Sequence, residues 1–129
     1  MLKIYVKGKV SSVKVKSGLY IVSLEYKQYK KEITGTKNDT TKNEIELYAI
    51  LEGLKSLTNS GKTKAITIIT ENHYITRGIN ELLKTWQRNN WKSAKGQEIK
   101  NKELWQEIWN YIRINPMIKA EYGESTNEN

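Results

Sequence analysis

The chain opens on alternation. Leu2, Ile4 and Val6 fall on every second position, the period of a half-buried strand, which predicts a first strand over Leu2–Val6. Lys7 to Ser17 reads as a basic, serine-rich loop. Gly18 to Tyr26 is rich in β-forming residues, Tyr29 to Thr34 likewise, and only Lys27-Gln28 separates them. That break predicts a tight antiparallel hairpin. Asp39, Thr40 and Thr41 offer helix N-caps. After them Ile45, Leu47, Ile50, Leu51, Leu54 and Leu57 recur at helical spacing until Asn59-Ser60-Gly61 stops the helix. Lys64 to Thr70 predicts a strand, and its apolar run from Ala65 to Ile69 suits one covered on both faces. Asn72 to Arg88 is helical, in two pieces around Gly78-Ile79-Asn80. Asn89 to Gly96 is a polar, basic loop. Lys102 to Ile114 is a further helix with Leu104, Trp105, Ile108, Trp109 and Ile112 on one side, ended by Pro116. Met117 to Tyr122 is the last strand.

The resulting order, β-β-β-α-β-α-α-α-β, implies an α/β fold: a five-stranded mixed sheet with helices on its faces. A chain of 129 residues makes one domain with a real core. Its expected bounds are 1–122, followed by a small, polar, acidic tail over 123–129 that is expected to fray.

Composition changes this picture in two ways. There is no Cys, which excludes disulfides and thiolate metal sites. No apolar run is long enough to span a bilayer, and the alternating N-terminus lacks a signal-peptide block. A cytoplasmic location without membrane attachment is therefore expected. The net charge is +8, concentrated in two blocks. Residues 1–43 hold ten Lys against three acids, and residues 84–102 hold six Lys or Arg against Glu98. Two basic blocks favour a polyanionic partner, nucleic acid first. The low Arg count, 3 against 19 Lys, tempers that, because biased base composition alone produces many lysines.

Candidate chemistry centres on two acids. Glu46 sits near the start of the first helix, and Glu71 ends the apolar strand Ile66-Thr67-Ile68-Ile69-Thr70. Taken singly each is an ordinary acid: one favoured by the helix dipole with Lys42 a turn before it, the other leading into a helix. Glu44 reads as solvent-facing. Lys7 follows the first strand.

Several strings, in this order, resemble the ribonuclease H family. Thr40-Thr41-Lys42-Asn43-Glu44-Ile45-Glu46-Leu47-Tyr48-Ala49 is similar to its T-T-N-N-x-x-E-L-x-A helix start. Ile69-Thr70-Glu71-Asn72-His73-Tyr74-Ile75 is similar to its T-D-S-x-Y-V strand end. Trp86-Gln87-Arg88-Asn89-Asn90-Trp91-Lys92 resembles its W-x-x-R-x-W basic handle, and Lys100-Asn101-Lys102-Glu103-Leu104-Trp105 its K-N-x-D-L-W. The resemblance spans roughly residues 2–122 and implies an RNase H-like fold, with the family's final helix absent here.

Its chemistry is only partly carried over. Family enzymes hold two Mg²⁺ ions with four carboxylates to cleave the RNA of an RNA–DNA hybrid. The resemblance places the second and third acids at Glu46 and Glu71, which would be the metal ligands if a metal binds. The first acid, in D-G-S, is replaced by Lys7-Gly8-Lys9. The fourth belongs to a segment after the last strand that this chain does not complete, where only Glu124 or Glu128 could imitate it. A lysine ammonium cannot ligate Mg²⁺. At ~4 Å it attracts a carboxylate by roughly 4 kcal/mol before desolvation and screening, and repels a divalent ion about twice as strongly. Lys7 is thus expected to act as counter-ion to a vestigial site, Glu46 and Glu71, that needs no cofactor. Mg²⁺ or Mn²⁺ is required only if the protein is active.

For nucleic acid, the resemblance points to Thr41, Lys42 and Asn43 beside that site, His73 after the third acid, and the handle residues Arg88, Lys92, Lys95, Lys100 and Asn101. Phosphate contact needs only charge and donors, so it survives loss of catalysis. Trp86, Trp91 and Trp105 are expected to pack the handle rather than stack on bases. Three functions follow. The first is a domain that binds RNA–DNA hybrid or duplex with little or no nuclease activity. The second is an active hybrid ribonuclease using Glu46 and Glu71. The third is a structural domain or one with a protein partner.

Overall fold

The computed structural model describes residues 1–11, 16–57 and 63–124. The strands and helices are β1 (Leu2–Val10), β2 (Ser17–Tyr26), β3 (Tyr29–Asn38), α1 (Lys42–Lys55), β4 (Ile66–Thr70), α2 (His73–Arg77), α3 (Leu83–Arg88), α4 (Lys102–Ile114) and β5 (Ile118–Tyr122), with a π-helical turn over Gly78–Leu82 joining α2 to α3. The five-stranded sheet has the order β3-β2-β1-β4-β5. β1 is antiparallel to β2 and parallel to β4, so the sheet is mixed, as the element order implies. No described helix is long and apolar enough to cross a membrane.

Two boundaries differ from the sequence reading. β1 runs on through Lys7, Gly8 and Lys9 to Val10, so the expected loop begins later. β3 continues to Asn38 rather than ending at Thr34. Both extensions have one cause. β2 is ten residues long and supplies a partner for each: Lys7 opposite Ile21, Lys9 opposite Leu19, and Asn38 opposite Ser17. Cross-strand pairing overrides the local polarity of these segments. The hairpin forms as read, with Tyr26 paired to Tyr29 and Lys27 at φ 56°. The helix stop at Asn59-Ser60-Gly61, the centre of the basic loop (12–15) and the tail from 125 on, Glu128 included, lie outside the described residues.

The parallel β1–β4 ladder runs from Leu2–Ile66 to Tyr5–Ile69. β1 therefore overshoots β4, and two levels beyond the last pair the same register would set Lys7 opposite Glu71. All five β4 residues are buried, as a strand covered on both faces requires. Leu2, Ile4 and Val6 join Val22, Leu24, Ile45, Leu47, Ile50 and Leu54 in one core.

The tryptophans hold the second helical layer to this core. Trp105 is fully buried and meets Trp86 edge-on, with ring centroids 5.2 Å apart, and Tyr74 at 5.9 Å. The predicted break at Gly78-Ile79-Asn80 is the π-turn. A Cβ at Gly78 would collide with the Trp105 ring, so glycine lets the two helices approach. Asn80 turns back to β5: its amide donates to the Ala120 carbonyl at 2.8 Å and its Oδ1 accepts the Ala120 N–H at 2.9 Å. That pair satisfies backbone groups on an edge strand that would otherwise be open. Gly78→Ala is expected to destabilise the fold by about 1–3 kcal/mol through overpacking, read as a lower urea midpoint at unchanged m-value. An unchanged midpoint would mean that the π-turn can move away from Trp105 at no cost.

Candidate nucleic-acid interface

The site starts at a close approach of helix to strand. Gly8 lies against α1, where a Cβ would come within 2.7 Å of Ile45 Cγ2 and 2.8 Å of Glu46 Cγ. Lacking that atom, Gly8 lets its amide donate to Glu46 Oε2 at 3.3 Å. Glu46 is only 3% exposed. Its Oε1 accepts from the Thr70 hydroxyl at 3.4 Å and from Asn72 Nδ2 at 3.2 Å, and Lys42 Nζ stands 3.4 Å from Oε2. A carboxylate offers about four lone-pair positions; three hydrogen-bond donors and the Lys42 ammonium surround this one. Lys42 is 60% exposed and contributes little as an ion pair. The buried Gly8 and Thr70 donors and the half-buried Asn72 carry more, since a hydrogen bond to a charged group is worth roughly 1.5–3 kcal/mol.

Asn72 organises this corner. Its Oδ1 caps α2 by accepting the Ile75 N–H at 3.2 Å, while Nδ2 also donates to Asn43 Oδ1 at 2.7 Å. The same side chain starts a helix, fixes Glu46 and ties α1 to the end of β4. Glu71, between Thr70 and Asn72, is exposed. Lys7 is also exposed, one residue before the amide that Glu46 accepts. Glu44, read as solvent-facing, instead accepts the Thr40 hydroxyl at 2.6 Å, while Thr41 caps α1 by accepting the Glu44 N–H at 3.2 Å.

Beside this cluster lies a groove of about 650 Å³, lined by Thr41 and Asn43 from α1, Tyr74 and Trp86 from the second helical layer, and Lys100 and Asn101 from the segment before α4. Four of the sequence-predicted residues, Thr41, Asn43, Lys100 and Asn101, thus share one concave surface. Arg88, Lys92 and Lys95 are exposed on the handle but do not line the groove. Lys42 is committed to Glu46, and His73 stacks on Tyr122. The handle is folded: Ile99 N–H donates to the Trp91 carbonyl at 3.1 Å, Ser93 N–H to the Gln97 carbonyl at 2.7 Å, and Lys102 pairs with Glu98 at 3.0 Å. Trp86 and Trp105 are buried packing residues, as expected.

A family model described as RNase H matches residues 2–128. The chain belongs to the RNase H family. The ribonuclease H of Caldicellulosiruptor saccharolyticus is 39% identical over 111 residues, 84% of this chain and 74% of that protein. The ribonuclease H of Francisella tularensis subsp. novicida is 46% identical over 86 residues, 66% of this chain and only 54% of that protein. Among solved structures, the PFV RNase H domain superposes with a TM-score of 0.75 at 17% identity, covering 99% of this chain and 81% of that one. LC11-RNase H1 in complex with RNA/DNA hybrid superposes at 0.71 and 16% identity, covering 96% and 86%. These establish the RNase H-like fold.

Sequence reasoning missed Asn72 and Thr70 as partners of Glu46, and Tyr74 in the groove. Asn72 carried one available signal, an Asn immediately before a helical pattern. Its second role, toward α1, depends on a contact between elements distant in sequence. Asn72→Asp separates the two: the cap acceptor stays, but a second carboxylate replaces the donor to Glu46. Asn72→Asp should therefore lower the urea midpoint at neutral pH although the cap is kept, because a carboxylate then faces Glu46 where a donor stood. An unchanged midpoint would remove Asn72 as a donor to Glu46.

Proposed function

We propose that this RNase H domain binds RNA–DNA hybrid or duplex nucleic acid and has little or no nuclease activity. The observation that carries the reading is the state of Glu46. Mg²⁺ needs near-octahedral oxygen ligands, and on this carboxylate it would compete with three protein donors and Lys42, all within 3.4 Å. Lys7 occupies the first-acid position and adds a charge of the wrong sign. Among the described residues, no three His, Asp or Glu side chains group as a ligand set. The residues present therefore do not fit a two-metal centre, and no hydrolytic step is assigned to them.

Binding is supported separately. The groove between α1 and the handle combines hydroxyl, amide and ammonium donors with one carboxylate, Glu98, which is paired to Lys102, and exposed Arg88, Lys92 and Lys95 stand on the same handle. Such groups recognise phosphate and sugar without reading sequence. A structural relative, LC11-RNase H1, is known in complex with RNA/DNA hybrid.

Binding and cleavage are tested together. Hybrid affinity is expected to fall by tenfold or more between about 50 and 200 mM salt, and the Arg88→Ala/Lys92→Ala/Lys100→Ala variant should weaken binding roughly tenfold with a shallower salt slope. No Mg²⁺- or Mn²⁺-dependent cleavage is expected. Robust turnover abolished by Glu71→Gln would establish an active enzyme instead, and absence of binding even at low salt would leave a structural or protein-binding role. For Lys7 the readout is metal affinity: Lys7→Asp combined with Lys42→Asn should raise Mg²⁺ affinity measurably by calorimetry. A double variant that binds Mg²⁺ no better than the parent would show that these lysines are not what excludes the ion.

A further inference from the structure

We propose that the His73–Tyr122 ring pair is a stacking platform for an unpaired nucleobase, such as the terminal base of an overhanging strand; this rests on the nucleic-acid reading above. The rings lie parallel, with centroids 3.9 Å apart and 6° between planes. The other described aromatic pairs differ: Tyr20–Tyr48, Tyr74–Trp105 and Trp86–Trp105 meet edge-on at 67°, 83° and 66°, and Tyr74–Trp86 is tilted at 47°. Edge-on pairs fill a core. A parallel pair on the surface presents a flat π-face, and both residues are exposed, Tyr122 by 52%.

Anchored backbone carries both rings. Tyr122 closes the β4–β5 ladder opposite Thr70, and the Gly123 N–H donates to the Thr70 carbonyl at 3.0 Å. His73 is the first residue after the Asn72 cap. Thr70 and Asn72 are also the donors to Glu46, so the platform stands at the same end of the sheet as the carboxylate cluster.

The local charges select the ligand group. Glu71 precedes His73 by two residues, and Glu121, beside Tyr122, is paired to Lys119 at 3.5 Å. Acids this close in sequence to both rings disfavour a phosphate there but not an uncharged base. Every base has a π-face, so the platform should accept any of the four.

The test compares a blunt RNA–DNA hybrid with the same hybrid carrying a two-nucleotide single-stranded overhang that contains 2-aminopurine. The parent protein is expected to bind the tailed duplex roughly five- to tenfold more tightly, the size of one stacked base, and to quench the 2-aminopurine. Tyr122→Leu should lose the preference and the quenching while binding the blunt duplex normally, which also shows that it has folded. Tyr122→Trp should keep both, and His73→Ala should reduce the preference. Equal affinity of the parent for the two duplexes, or a preference that survives Tyr122→Leu, would overturn the platform and leave duplex binding intact. Binding to neither duplex would overturn the nucleic-acid reading along with it.

Discussion

The contact between the Gly8 amide and the Glu46 carboxylate sets the geometry on which the rest of the site depends. It requires a residue without a side chain on β1, because any Cβ there would press on Ile45 and Glu46. It brings the first turn of α1 down onto the strand, and with it Thr41 and Asn43, which form one wall of the groove. It also buries a carboxylate, which is costly unless the charge is matched by donors. Thr70 and Asn72 supply them from the end of β4 and the start of α2. Three separate stretches of chain are thereby fixed to one acid.

That arrangement holds the buried acid with the protein's own groups. In a metal enzyme, ions offset the repulsion among clustered carboxylates. Here Glu46 is buried with hydrogen-bond donors and Lys42, while Glu71 and Lys7 are exposed. The groove is coupled to this cluster, because Asn43 in its wall accepts from the same Asn72 amide that donates to Glu46.

The end of the sheet thus carries several surfaces with distinct chemistry. The groove is concave and polar, the handle is exposed and cationic, and the His73–Tyr122 pair is flat and aromatic. A duplex with a frayed end presents matching groups: sugars and phosphates along its length and a bare base at its terminus. The buried Trp86–Trp105 pair serves a different purpose, fixing the helical layer from which the handle projects.

Much of this was legible from the chain alone. Hydrophobic period, β-forming composition and one continuous apolar run identified the strands and helices named above among the described residues, because burial on one face leaves a mark at spacing two or near 3.6. The motifs around Glu46, Glu71 and the handle carried the family, and the substitution at Lys7 is visible by inspection. What the sequence could not show is pairing between distant segments. The ends of β1 and β3 were misjudged because β2, not local polarity, decides how far they run. The donors on Glu46 come from residues 38 positions before it and 24 and 26 after it, brought together only by the β1–β4 ladder and the α1 crossover. The stacking of His73 on Tyr122 depends on the register of β5 against β4. Local patterning determined which elements exist; tertiary packing decided which side chains meet, because hydrogen bonds and ring contacts act over a few ångströms in space whatever their separation in the chain.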